Sequence, residues 1–180
     1  MGLIIGLDDF KAGKCAISTN MYTLKDLNDY IIRNESKYLQ ELLGVDLYEL
    51  FIADLQNGVP QDPKFVKIFN PFAFNDHSKT VMFAGYLKES HLVRSEGMTE
   101  MLRAFIYSEY TKEQNFKNTI SGNTQDEVEV ATLQSAMNNG LQEKYNNAVS
   151  NYDAIQTYIC RHIDDYPEFC GIVKNYLTII

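Results

Sequence analysis

Few residues in this chain have the types and spacing that chemistry requires. There are three histidines, His77, His91 and His162, and three cysteines, Cys15, Cys160 and Cys170. Adjacent or near-adjacent carboxylates occur at Asp8-Asp9, Glu127/Glu129 and Asp164-Asp165. His162 with Cys160, Asp164 and Asp165 comes nearest to a metal-binding group. A ligand set needs donors that converge on one point. On a helix, Cys160 and His162 point about 200° apart, so they do not converge. That cluster reads better as a helix C-terminus, with the imidazole near the negative end of the dipole and a solvated acidic turn beyond it. His77 follows Asp76 in an irregular stretch and reads as part of a turn. Acid–base catalysis needs two carboxylates in differing environments, one of them desolvated. Asp8-Asp9, between Leu7 and Phe10, fits a turn better than such a pair. No glycine-rich phosphate loop, dinucleotide fingerprint or nucleophile elbow is present. No catalytic, cofactor-binding or metal residue is therefore assigned, and the chain is expected not to be an enzyme.

The bulk composition narrows the remaining classes. The chain has 180 residues, 45% of them hydrophobic and 22% charged, with a net charge of −8. It is long enough to bury a core without disulfides or metals. Its acidic balance argues against gripping nucleic acid through a basic face. That balance remains compatible with lining a passage along which DNA slides. The odd cysteine count and the spacing point to free thiols in a reducing compartment. No apolar run approaches a membrane span and no secretion signal is apparent, so a soluble chain made in a cytoplasm is expected, with no membrane partner. Tyr occurs 12 times, Phe 10 times and Trp never. Such aromatics suit protein–protein contacts, although compositional drift would give the same bias.

Periodicity supplies the elements. Residues 1–22 read as an apolar N-terminal arm or small hairpin, punctuated by Gly6 and Gly13. A helix is predicted from Thr23, with Leu24, Leu27, Ile31, Tyr38 and Leu42 in its stripe and Gly44 closing it. A shorter helix follows over about 46–56, ended by Asn57-Gly58. The stretch 59–93 is broken by Pro60, Pro63 and Pro71 and reads as a long irregular loop or small hairpin. Pro63 would open one helical turn, and Thr80–Phe83 would form a strand. A second strong helix spans about 95–116, carrying Met98, Met101, Leu102, Phe105, Ile106 and Tyr110. After a polar linker, 127–139 is ambiguous. A third strong helix spans about 140–163 and stops before Tyr166-Pro167.

The expected fold is all-α: a bundle of four to five helices over 23–171, with extended arms at 1–22 and 172–180. Residues proposed to face neighbours are Leu3, Ile5 and Phe10 in the first arm, and Phe72 and Phe74 in the loop. Tyr107 and Tyr158 on helices complete the set with Tyr176, Leu177, Ile179 and Ile180 in the tail.

Several strings occur together and in order. They are Tyr38-Leu39-Gln40-Glu41-Leu42-Leu43-Gly44-Val45-Asp46-Leu47-Tyr48; Ser95-Glu96-Gly97-Met98-Thr99-Glu100-Met101-Leu102; Phe105-Ile106-Tyr107-Ser108-Glu109-Tyr110; Asn118-Thr119-Ile120-Ser121-Gly122; and Tyr145-Asn146-Asn147-Ala148 running to Tyr166-Pro167-Glu168-Phe169. Over about 23–171 this pattern resembles the head–tail connector (adaptor) proteins of tailed bacteriophages, in particular the ring proteins of crAss-like phages. The resemblance implies an all-α subunit of a closed ring of about twelve copies, joined head to tail. It also implies partners: the portal protein, the next tail or ring protein, and double-stranded DNA that passes through without specific binding. The implied place is the virion, at the head–tail junction. No cofactor or catalytic residue comes with it. Other readings are a stopper or tail-completion protein, a module binding a host partner, and a small metal-dependent hydrolase using His77 or His162.

Overall fold

The computed structural model describes residues 4–17, 21–76, 81–83, 86–88, 91–120 and 127–169. A 3-10 turn over Leu7–Phe10 precedes α1 (Met21–Leu43) and α2 (Val45–Asp54). A pair of two-residue strands follows, β1 (Leu55–Gln56) and β2 (Val59–Pro60), then α3 (Pro63–Phe69). Next come β3 (Phe72–Asp76), β4 (Val81–Phe83), β5 (Tyr86–Lys88) and β6 (His91–Ser95), and the long helices α4 (Met98–Ile120) and α5 (Glu127–Arg161). The fold is thus mainly α with small two-stranded antiparallel ribbons, and the all-α expectation is corrected to that extent.

The core is made where α1, α4 and α5 meet. Leu27, Ile31, Tyr38 and Leu42 recur at helical spacing and give α1 its buried stripe. Met98, Met101, Leu102, Phe105 and Ile106 do the same for α4, and Ala148, Tyr152, Ile155 and Ile159 for α5. Phe105 sits at the centre. Its ring stacks on Tyr38 at 4.5 Å and meets the edges of Tyr145 and Tyr152 at 5.8 and 6.3 Å. Buried hydroxyls need partners, and these have them. Tyr152 donates to the Glu41 carbonyl at 2.8 Å, Gln156 donates to the Tyr152 hydroxyl at 2.9 Å, and the Tyr38 hydroxyl donates to Glu109.

Local chemistry sets the joints. Gly44 has φ 74°, and its N–H donates to the Gln40 carbonyl at 2.9 Å, so α1 ends there and α2 begins at once. Asn57 and Gly58 have φ 53° and 80°. Such a pair makes a tight hairpin turn, so it joins β1 to β2 and does not end the helix, which stops at Asp54. Asp62 caps α3 through the Lys64 N–H at 2.9 Å, with Pro63 in the first turn.

Two sequence expectations are corrected, and one with two alternatives is decided. Residues 4–17 are not an extended arm. The N–H groups of Ile4 and Ile5 donate to one oxygen of buried Glu35 at 2.6 and 2.9 Å. Ile5, Phe10 and Cys15 are buried against the helices. Within 59–93, a register running from Phe72↔Ser95 to Asp76↔His91 forms a ribbon. A second one closes with Phe83↔Tyr86, so of the two readings of 59–93, long loop or small hairpin, the hairpin is the one formed. Finally, Gly140 does not start a helix. It lies inside α5, which begins at Glu127. A Cβ at Gly140 would meet nothing within 4 Å, so no packing constraint marks the position. The proposed tail, 172–180, lies outside the described residues.

Candidate interaction surfaces

The residues singled out for neighbour contacts divide by burial. Ile5 and Phe10 are 1% and 0% exposed inside the chain's own core, and Phe72 is 7% exposed. These three are corrected from contact residues to core residues. The reason for Phe72 is that alternate residues of a strand share a face. Phe72, Phe74 and Asp76 form the face of β3 that turns toward α5. The rings of Phe72 and Phe74 lie 5.0 and 5.4 Å from Tyr158, and Asp76 accepts from Arg161 at 3.1 Å. Phe74, Tyr107 and Tyr158 remain half-buried. Tyr107 carries Lys144 over its ring at 5.0 Å, at the seam of α4 and α5. Leu3, Tyr176, Leu177, Ile179 and Ile180 lie outside the described residues.

The end of α5 does not assemble a metal group. Cys160 is exposed, while the His162 ring stacks on Tyr158 at 4.1 Å with Nδ1 2.9 Å from the Tyr158 carbonyl. Among the described residues no three metal-ligating side chains come together. His77 lies outside the described residues, and His91 pairs across the ribbon with Asp76. The turn after α5 is held by the Tyr166 hydroxyl, which donates to the Lys64 carbonyl at 2.7 Å. Burial pushes the phenols of Tyr158 and Tyr166 up from their ordinary range.

An open groove of about 790 Å³ runs between Gly13–Lys14, the base of the β3–β6 ribbon and the first turns of α4. Its charges are largely matched. Lys14 meets Glu96 at 3.1 Å, which raises the lysine's pKa, and Arg103 meets Glu100 at 2.5 Å and the Ala12 carbonyl at 3.3 Å. Across its floor, Asn151 accepts from the Glu96 N–H at 2.6 Å and from Ser95 at 3.3 Å. These bonds tie β6 and the start of α4 to α5.

One surface escaped the sequence reading. On α2, Leu47 and Phe51 point into the core. The opposite arc holds Val45, Asp46, Glu49, Leu50 and Ala53, all exposed. Val45 is 65% and Leu50 42% exposed. Helical spacing of Leu47 and Phe51 was the available signal: it fixes the buried side and so leaves two aliphatic residues among acids on the other.

Comparison of the chain with known protein families, characterised proteins and solved structures gives no match.

Proposed function

We propose that this chain is a structural subunit of the ring that joins the capsid portal to the tail in a tailed bacteriophage. The supporting observation is where the connector-like strings lie. Tyr38–Tyr48 spans the α1–α2 joint, Ser95–Leu102 and Phe105–Tyr110 build α4, and Tyr145–Phe169 runs down α5 and its exit. Their side chains form one packed centre: Tyr38 on Phe105, Phe105 on Tyr145 and Tyr152, and Tyr152 on the Glu41 carbonyl. Residues of three strings that are distant in sequence thus meet in a single body. That is expected if the likeness is one of fold and not of scattered coincidences.

In this reading about twelve copies close a ring by heterologous contacts. The portal binds one side and the next tail or ring protein the other. The net charge of −8 suits a channel that duplex DNA traverses without being held. A stopper or tail-completion role is the neighbouring alternative within the same assembly.

The test is binding to the portal encoded in the same genome. The purified full-length chain is mixed with assembled portal and sedimented. Stoichiometric co-sedimentation is expected. A chain that stays in the supernatant at every ratio and salt concentration overturns the proposal.

A further inference from the structure

Two exposed surfaces of the folded chain match each other. On α2, Val45 and Leu50 hold aliphatic side chains in water, and Asp46 and Glu49 are exposed on the same arc. The second surface is the outer face of the β3–β6 ribbon. Alternate residues of a strand share a face, and so do partners across an antiparallel pair. The pairs Phe72↔Ser95 and Phe74↔Val93 therefore lie on the side turned toward α5, and Ala73↔Arg94 and Asn75↔Leu92 on the other. Ala73, Asn75, Leu92 and Arg94 are all exposed, Leu92 at 45%. This face offers an apolar residue beside a cation, where α2 offers apolar residues beside carboxylates. Glu49 and Arg94 enter none of the ion pairs formed among the described residues. Both surfaces are held in place: β6 packs on α5, Phe72 and Phe74 on Tyr158, and α2 on α1. Since both stay exposed in the folded chain, they do not cover each other within one copy.

We infer that the outer face of the β3–β6 ribbon of one copy docks on the α2 arc of the next, with Leu92 against Val45 and Leu50 and Arg94 against Glu49. Charge decides the pairing. A two-fold contact of α2 with α2 would set Asp46 and Glu49 against the same carboxylates. Ribbon on ribbon would set Arg94 against Arg94. Like charges facing each other across an interface oppose binding, so the unlike surfaces are the ones that fit. The contact is heterologous: each copy gives a ribbon face and receives one. Its repetition produces a ring or a filament, never a symmetric dimer alone. Both surfaces are small beside the roughly 20–30 residues a side of a stable interface. A single contact is therefore weak, and closure of a ring or a portal template supplies the rest by raising effective concentration. This inference rests on the ring reading and specifies the contact that would close it.

Full-length chain carrying Cys160→Ser and Cys170→Ser is the background for the test. Leu50→Cys and Leu92→Cys are added singly and together, and the concentrated protein is oxidised mildly. The double variant should give a ladder of dimer, trimer and higher species. An equimolar mixture of the two single variants should stop at the dimer. A parallel charge test avoids cysteines and reads self-association by sedimentation at high concentration. Arg94→Glu should weaken it about fivefold or more, because a repulsion replaces an attraction. Glu49→Lys added to Arg94→Glu should restore most of the loss. Helical circular dichroism checks that each variant folds. No ladder from the double variant, together with no effect of charge reversal, overturns this inference. If amine cross-linking of the unmodified chain then still yields oligomers, another face makes the contact and the ring reading survives. If Arg94→Glu abolishes portal binding and leaves self-association intact, the ribbon faces the portal and this inference fails alone. If neither cross-linking nor portal binding yields assemblies, both fail.

Discussion

Glu35→Ala should detach the N-terminal segment from the body. The Glu35 side chain is buried, and one of its oxygens accepts the N–H groups of Ile4 and Ile5 at 2.6 and 2.9 Å. A hydrogen bond to a charged group contributes about 1.5–3 kcal/mol, so the pair is worth roughly 3–6 kcal/mol if the segment stays in place without it. The segment need not stay. It can peel away and hydrate its N–H groups, at the cost of exposing Ile5 and Phe10, about 1.5–3 kcal/mol for each. The loss is therefore capped near the cost of peeling, and about 3 kcal/mol is expected. For a domain of this size that is a fall in melting temperature of roughly 6–12 °C. Glu35→Gln keeps a neutral acceptor and should lose less than half as much. Chemical denaturation gives the energy, and amide hydrogen exchange gives the place. Residues 4–10 should lose protection in Glu35→Ala while α4 and α5 keep theirs. An unchanged denaturation midpoint with unchanged protection at Ile4 and Ile5 would refute the reasoning.

Phe105→Ala removes the ring at the meeting point of Tyr38, Tyr145 and Tyr152 and should cost about 3–5 kcal/mol, read from the denaturation midpoint. Gly97→Ala should cost at least about 2 kcal/mol by the same assay. Gly97 has φ 93°, and a Cβ there would lie 2.6 Å from the Phe69 carbonyl oxygen, so the start of α4 must shift. Alkali should unfold the chain cooperatively. Burial, and then Glu109, raises Tyr30 to about 12, and burial is the main cause of the raised values at Tyr152 and Tyr166. A folded pKa above the unfolded one means this stability is complete below about pH 10 and is lost as pH climbs through the folded values. Tyrosinate absorbance and helical circular dichroism should change together above pH 10. Gradual ionisation of all the tyrosines with the helices intact would contradict it.

The helices of the body were legible because each buries a stripe at helical spacing, as Leu27, Ile31, Tyr38 and Leu42 do on α1. Gly44 and the Asp62-Pro63 pair marked joints through local backbone chemistry alone. The hairpin was only half legible. Phe72, Phe74 and Asp76 alternate with Ala73 and Asn75, but a period of two over five residues is short. Its partner strand lies across the intervening β4–β5 ribbon. The fate of Phe72 depended on α5, far along the chain, so a large apolar residue in a proline-broken stretch read as a contact. The same limit applies to Ile5 and Phe10, whose burial depends on Glu35 and the helices behind it. At Gly140, an isolated glycine weighs about 1 kcal/mol against helix, too little to break one that continues on both sides.

The central claim is a place in a particle, and imaging that place tests it most directly. If the proposal holds, a phage encodes the chain, and its virions are reconstructed at the neck by cryo-electron microscopy with no symmetry imposed. The ring reading requires this fold, repeated about twelve times in a closed ring against the portal with DNA along its axis. A neck fully accounted for by other chains, with this one absent from the particle, would contradict it.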